Sequence, residues 1–173
     1  MKIPVTLNGE KTILDAQPDD LLINILHENG CISVKSGCKH GICGSCTILL
    51  NDQPVASCKI PAGIVKDNNI TTLEAFSKTE EYQSIIEGFN KAKIKLCGYC
   101  NAGKIFSTYQ ILKLEKKLTR KEIADQVRHL APCCTDIETL INGIIYAVDF
   151  QNKKATRDSN KIKTREINSK VKK

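Results

Sequence analysis

The chain has 173 residues and a mass of 19.2 kDa, which suits one ordinary domain or two small ones. With 41% hydrophobic and 26% charged residues, the composition excludes a disordered chain, and no apolar run approaches the ~20 residues of a membrane helix. The formal charge of +7 arises in the last segment, because residues 1–150 contain 17 basic and 17 acidic side chains while residues 151–173 contain 9 and 2. No secretion signal opens the chain, and we expect a cytoplasmic protein.

The first 75 residues carry the signals of a small mixed sheet with one helix. Runs typical of strands flank Asn8-Gly9 and Asn51-Asp52, two-residue turns that favour β-hairpins. Between the hairpins, apolar residues recur at helical spacing until Asn29-Gly30. The predicted elements are hairpins at 2–15 and 47–58, a helix that begins near 21, and a last strand at 70–73.

Beyond residue 77 the pattern becomes helical. Four segments have apolar residues at i, i+3, i+4 spacing and almost no strand signals, which predicts an all-α four-helix domain. These segments are 79–90, 103–118, 121–130 and 137–149. We therefore predict an α+β chain with two domains, 1–76 and 77–150. A basic, flexible tail is predicted over 151–173, since that segment lacks an apolar stripe.

Nine cysteines without a secretion signal indicate metal or redox chemistry, because structural disulfides are rare in a reducing compartment. Eight of the nine form two groups of four. The first group has the spacing C-x4-C-x2-C-x11-C, and three cysteines on a tight loop followed by a distant fourth are typical of a plant-type [2Fe–2S] site. Its predicted ligands are Cys38, Cys43, Cys46 and Cys58.

Three glycines lie among the cysteines of the first group. A chain folded closely around inorganic sulfide needs positive φ angles and room for backbone N–H donors. We therefore assign Gly37, Gly41 and Gly44 to cofactor binding.

The second group lies in the helical region. Two of its members directly precede a predicted helix, whose N-terminus favours the negative charge of a thiolate. The predicted ligands of this second metal site are Cys97, Cys100, Cys133 and Cys134. The ninth cysteine, Cys31, belongs to neither group, and we interpret it as a small apolar core residue.

The spacing alone leaves other interpretations open. Structural zinc also uses C-x2-C pairs, although Cys58 has no close partner to complete a zinc ribbon. A zinc-stabilised protein could bind nucleic acid through the basic tail. A ferredoxin-like carrier with one cluster could keep the first site and have lost the second.

The chain resembles the [2Fe–2S] subunit of the molybdenum hydroxylases, the family of xanthine dehydrogenase, aldehyde oxidase and bacterial carbon monoxide dehydrogenase. The similarity covers residues 2 to about 149. It rests on DLLINILHENGCISVKSGCKHGICGSCTILLNDQPVASC in the first domain, ITTLE at the junction, and CGYCNAG and CCTDIETLINGI in the second domain.

This resemblance implies a β-grasp, plant-ferredoxin-like domain followed by the helical domain, each holding one [2Fe–2S] cluster. It also implies an oxidoreductase subunit that relays electrons and has no substrate-converting site of its own. The partners implied are a molybdopterin-binding large subunit and an FAD-binding medium subunit, which carry molybdopterin and FAD. No nucleic acid is expected as a partner.

The second domain departs from the family pattern at two points. The family ligand positions, counted from Cys100, fall at 132 and 134, where this chain has Pro132 and Cys134. We expect Cys133 to replace the missing ligand. The glutamine that usually precedes the first cysteine of C-G-[FY]-C, and hydrogen-bonds the pterin in the family, is Leu96 here.

Overall fold

The computed structural model describes residues 1–114, 116, 118–130 and 134–171, with side chains described through 156 except at 155. A five-stranded sheet with a helix across it occupies the first part, and helices form the rest. Within the described part of the chain, no helix is long and apolar enough to cross a bilayer.

The sheet is made of five strands: β1 Lys2–Leu7, β2 Glu10–Asp15, β3 Thr47–Leu50, β4 Gln53–Ala56 and β5 Asn69–Thr71. Their order in the sheet is β2-β1-β5-β3-β4. Strands β1 and β5 pair in parallel, and the other neighbours pair antiparallel. Both predicted hairpins are confirmed, and the last strand begins one residue and ends two residues before its predicted bounds.

The two hairpin turns have the backbone conformation that their sequences predict. Asn8 and Gly9 have φ angles of 54° and 89°, and Asn51 and Asp52 have 49° and 67°. Positive φ at both central residues matches the right-handed twist of the flanking strands. The turns thereby fix the register of the first hairpin and of the strand that leaves the cysteine-rich loop.

One helix, α1 (Leu22–Glu28), packs across the sheet and buries Leu22, Ile25 and Leu26. Its apolar face and the inward side chains of the sheet form the first hydrophobic core. A mixed sheet of this order with a helix across one face is the β-grasp fold, so the predicted ferredoxin-like domain is confirmed.

The four predicted helices of the second part are all present. A fifth, the single turn α2, was not predicted, because four residues are too few to show helical periodicity. The helices are α2 Leu73–Phe76, α3 Glu80–Lys91, α4 Asn101–Leu112, α5 Arg120–Val127 and α6 Ile137–Val171.

The predicted end of the last helix at residue 149 is wrong. Helix α6 continues through the segment that the sequence analysis interprets as a tail, as far as Val171. Residues 144–173 contain neither glycine nor proline, so nothing in the chain stops the helix there. Lys154 Nζ lies 2.7 Å from Glu80 Oε2, an exposed contact that places the start of this extension beside α3.

Strand β3 lies between two cores. Ile48 faces the first core, whereas Leu49 on the opposite face packs into a second core made by the helices. Phe76, which the sequence places at the end of the first domain, also joins the second core, with its ring 5.1 Å from that of Phe106. Helix α4 therefore packs directly against β3 and β4.

Candidate metal centres

The first cysteine group lies on the irregular segment before β3 and on a turn after β4. Cys38, Cys43 and Cys46 occupy the segment, and Cys58 lies in the 3-10 turn Ser57–Lys59. The backbone N–H and the hydroxyl of Ser57 donate to the Cys46 carbonyl at 3.1 and 2.8 Å. These bonds hold the turn that carries Cys58 against Cys46.

The four side chains of this group are linked through neighbouring thiols. Cys38 contacts Cys43, Cys58 contacts Cys46, and Cys58 also lies near Cys38. Backbone N–H groups also point at the sulfurs, from His40 to Cys38 at 3.3 Å and from Ser45 to Cys43 at 3.5 Å. The hydrogen bond from His40 lowers the pKa of the Cys38 thiol to about 6, whereas burial and the neighbouring Cys46 raise the pKa of Cys58 to about 11.

The predicted glycines have two different structural roles. Gly41 and Gly44 have φ angles of 80° and 75°, as a chain that turns around a cofactor requires. Gly37 does not have a positive φ angle. A Cβ atom at Gly37 would lie 2.6 Å from Cys43 Sγ and 3.0 Å from Ser45 Oγ, so glycine is needed there for space.

The residues around Gly37 supply the donor types that an iron–sulfur cluster needs. Ser45 is fully buried, and its hydroxyl has no hydrogen-bond partner within the described residues. Ser45 Oγ and Cys43 Sγ both lie next to Gly37, so an unpaired donor and a thiol are close neighbours. Thiols and hydrogen-bond donors are the groups that hold a [2Fe–2S] cluster and bond its sulfurs.

The second group is assembled by the start of α4 and the segment after α5. Cys97 precedes the helix, Cys100 is its N-cap residue, and Cys134 lies before α6. Their three Sγ atoms all lie within 4.8 Å of one another, although Cys100 and Cys134 are far apart in sequence. Cys133 and Pro132 lie outside the described residues.

A lysine that no sequence motif marks lies against the sulfurs of this second group. Lys104 is only 2% exposed, and its Nζ lies 3.1 Å from Cys100 Sγ and 3.6 Å from Cys134 Sγ. It follows Cys100 by four residues on α4, so helical geometry places both side chains on one face. That spacing was the available signal, but a lysine at such a position is usually exposed.

The two candidate sites lie against each other. Gly103, in the first turn of α4, donates its N–H to the carbonyl of Gly44 in the first cysteine loop at 2.9 Å. Tyr99, between two cysteines of the second group, donates its hydroxyl to the carbonyl of Ser36 at 3.2 Å. Thus backbone and side-chain hydrogen bonds join the loop of one site to the helix start of the other.

Cys31 and Leu96, which the sequence analysis discusses apart from the ligand sets, both pack in hydrophobic cores. Cys31 is 2% exposed in the first core, in agreement with its predicted role as a core residue. Leu96 packs half-buried against the second core. Its side chain therefore contributes to the helical domain, at the position where the family usually has a polar amide.

Two family descriptions match consecutive parts of the chain. Residues 5–72 match the family described as "2Fe-2S iron-sulfur cluster binding domain". Residues 72–145 match the one described as "[2Fe-2S] binding domain". Together these matches show that the chain carries two domains of the kinds that bind [2Fe–2S] clusters.

Characterised relatives span nearly the same length. The nicotinate dehydrogenase small FeS subunit of Eubacterium barkeri is 32% identical over 148 residues, 85% of this chain and 94% of the relative. The xanthine dehydrogenase iron-sulfur-binding subunit of Escherichia coli O157:H7 is 32% identical over 145 residues, 83% of this chain and 91% of the relative.

Solved structures share the fold. The crystal structure of quinoline 2-oxidoreductase from Pseudomonas putida 86 contains a chain that is 30% identical, with a TM-score of 0.77 and coverage of 88% of this chain and 96% of that one. The aldehyde oxidoreductase of Desulfovibrio desulfuricans ATCC 27774 has a TM-score of 0.75 at 28% identity. This chain covers only 17% of that longer protein, which contains further parts.

Proposed function

We propose, from the premise that the chain belongs to the family of [2Fe–2S] subunits of the molybdenum hydroxylases, that it relays electrons within an oxidoreductase complex. Electrons would enter from a molybdopterin-binding large subunit, pass the helical site and then the sheet site, and leave to an FAD-binding subunit or another acceptor. We also infer a cytoplasmic complex, because eight of the nine cysteines are assigned to metal sites that need free thiolates, and a reducing compartment keeps thiols free.

The observation that carries this proposal is the hydrogen bond between Gly103 and Gly44. Gly44 immediately follows Cys43, and Gly103 follows Cys100 by three residues. One hydrogen bond of 2.9 Å and a few covalent bonds therefore separate a cysteine of one site from a cysteine of the other. Two one-electron sites in such contact form a continuous path through the subunit.

The residues that would hold the clusters follow from the two groups. In the domain that we assign to 1–76, Cys38, Cys43, Cys46 and Cys58 would supply the four thiolates of one cluster. In the domain assigned to 77–150, Cys97, Cys100 and Cys134 supply three thiolates. A [2Fe–2S] cluster at each site supplies one-electron chemistry at potentials near roughly −400 mV for the plant type, in the range of flavins.

Cys133 is the proposed fourth ligand of the helical site. It is adjacent to Cys134, whose sulfur lies within 4.8 Å of those of Cys97 and Cys100. Residue 132, where the family pattern has a cysteine, is Pro132 and has no ligand atom. A thiol displaced by one position is therefore the nearest source of the missing ligand.

Exposed apolar side chains next to the sites support docking on a partner subunit. Ile32 and Tyr99 are 79% and 52% exposed and line one shallow groove with Gly98. Ile42, on the loop between Cys38 and Cys43, is 60% exposed. Apolar groups at such positions are typical of surfaces covered by another protein, and here they would bring a partner's cofactor close to the clusters.

The test is to purify the full chain together with its partners and measure iron, zinc and EPR spectra of the reduced protein. We expect about four irons per chain and two [2Fe–2S] signals. Cys133→Ser should remove one signal and about two irons, whereas the control Cys31→Ser should keep both. About two irons in fully loaded wild type would contradict the two-site relay, and a colourless zinc protein would contradict electron transfer altogether.

A further inference from the structure

Lys104 is a buried cation beside the helical site. Its side chain is 2% exposed and lies among the apolar residues of α4, and its Nζ contacts Cys100 Sγ and Cys134 Sγ at 3.1 and 3.6 Å. Burying an ammonium group away from water is costly unless negative charge and hydrogen bonds compensate for it. Thiolates that ligate a cluster at the helical site would supply that compensation.

We propose that Lys104 sets the reduction potential of the helical site, raising it above the value that the cysteines alone would give. The proposal rests on the proposed function, because it requires a cluster at Cys97, Cys100 and Cys134. Lys104 would act through the ligand sulfurs of Cys100 and Cys134, and it is not itself a cluster ligand.

The physical reason is the change of charge on reduction. When the site accepts one electron from a donor, its net charge becomes more negative by one, and a fixed positive charge stabilises the reduced state more than the oxidised state. Hydrogen bonds to cysteine sulfur act in the same direction, since they withdraw electron density from the iron ligands. Lys104 supplies both effects at two of the sulfurs.

Burial makes Lys104 more effective than other charged groups nearby. Arg128 and Asp136 line the same cavity as Lys104, but both are exposed to solvent, and Asp136 accepts hydrogen bonds from the N–H and hydroxyl of Thr139. Exposed charges are strongly screened by water and salt, whereas a buried charge in direct contact with the sulfurs is not.

The experiment compares the midpoint potentials of the two clusters in the full-length, iron-loaded chain by redox titration followed by EPR. The signal that disappears in Cys134→Ser identifies the helical site. Lys104→Met keeps the length of the side chain and removes both charge and donors, Lys104→Gln keeps a donor without charge, and Lys104→Arg keeps the charge. Lys11→Met removes one exposed charge from β2, at the sheet edge opposite the strands that α4 contacts.

We expect Lys104→Met to disfavour reduction of the helical site at least tenfold, which is about 59 mV lower for a one-electron couple. The signal of the sheet site should shift much less. The midpoint potential of the helical site in Lys104→Gln should lie between those of Lys104→Met and wild type. Lys104→Arg should lower this potential by less than half as much as Lys104→Met does. Lys11→Met should change neither potential.

The proposal is overturned if Lys104→Met keeps about four irons per chain and both potentials match wild type. Equal shifts of both clusters, or a shift in Lys11→Met of the same size, would also overturn it, because net charge alone would then explain the effect. Loss of the helical signal in both neutral variants would instead assign Lys104 to cluster assembly. If wild type itself shows one cluster, the proposed function fails, and this is seen before any variant is compared.

Discussion

The backbone N–H of Gly103 donates a 2.9 Å hydrogen bond to the carbonyl of Gly44, and this contact joins the backbones of the two cysteine sites. The approach is so close that a Cβ atom at Gly103 would lie 2.7 Å from Gly44 Cα. Real side chains do not tolerate that distance to a backbone atom, so one of the two elements would have to move. The proposed electron path and the packing of α4 on the cysteine loop therefore both involve the same glycine pair.

Gly103→Ala should destabilise the protein by up to about 2 kcal/mol, because overpacking costs about 1–3 kcal/mol and alanine recovers only about 1 kcal/mol in a helix interior. Thermal unfolding measures the first effect. The magnetic interaction between the two reduced clusters, seen as broadening in EPR, should weaken as the sites separate.

Ser107→Ala, one turn further along α4, is the control for Gly103→Ala and should leave both measurements unchanged. A Gly103→Ala protein with wild-type stability and undiminished magnetic interaction would show that the contact with Gly44 is not required.

Cys43→Ala should remove the first cluster and destabilise the sheet domain, since the irregular loop that carries Cys43 depends on metal binding for its order. Iron should fall by about two per chain. The control is Cys31→Ala, a buried cysteine of the first core that belongs to neither group. Unchanged iron in Cys43→Ala, or an equal loss in Cys31→Ala, would contradict the ligand assignment.

Glu74 connects the loop before the first site to the junction between the domains. It accepts hydrogen bonds from the N–H and hydroxyl of Ser33 at 2.7 and 2.6 Å and from the hydroxyl of Thr72. Partial burial opposes ionisation of the carboxyl group, but these donors outweigh it and lower the pKa of Glu74. Because the pKa is lowered on folding, the carboxylate stabilises the protein above its ordinary pKa of 4.5, and that stabilisation is lost as pH falls below it.

A double-mutant cycle of Glu74→Gln and Ser33→Ala should give a coupling free energy on the order of 1 kcal/mol at pH 7. The value is smaller than for a fully buried charged hydrogen bond, because both side chains are half-exposed and water screens their interaction. Denaturant unfolding of the four proteins measures it. Additive effects of the two substitutions would show that the contact contributes nothing to stability.

Truncation after Phe150 should leave iron content and both EPR signals unchanged, since the cysteines lie upstream. The free energy of unfolding should change by less than about 1 kcal/mol, because the exposed pair of Lys154 and Glu80 is solvated. We also expect association with partner subunits to persist at low and high salt.

Lost association of the truncated chain at low salt would instead identify the basic extension of α6 as a docking arm for an acidic partner surface. Lost iron would show that the extension supports the helical domain.

The sequence by itself determined the elements whose signals are local. Asn8-Gly9 can adopt positive φ at both positions, so its hairpin follows from two residues and their flanking pattern. The spacing of Cys38, Cys43 and Cys46 likewise places three thiols on one short loop before any packing is known. After residue 144 two local signals conflict. The lack of glycine and proline allows the helix to continue, whereas the lack of an apolar stripe predicts that it ends near 149, and the structure shows that the helix continues.

The tertiary structure alone decided which distant groups meet. Cys100 and Cys134 come within 4.8 Å, and Lys104 reaches both sulfurs, because α4, α5 and α6 share one core. The spacing of residues predicts which side chains share one face of a helix, but it does not predict which other element that face contacts. The contact of Gly103 with Gly44 is of the same kind, since only the packing of α4 on β3 and β4 brings these two glycines together.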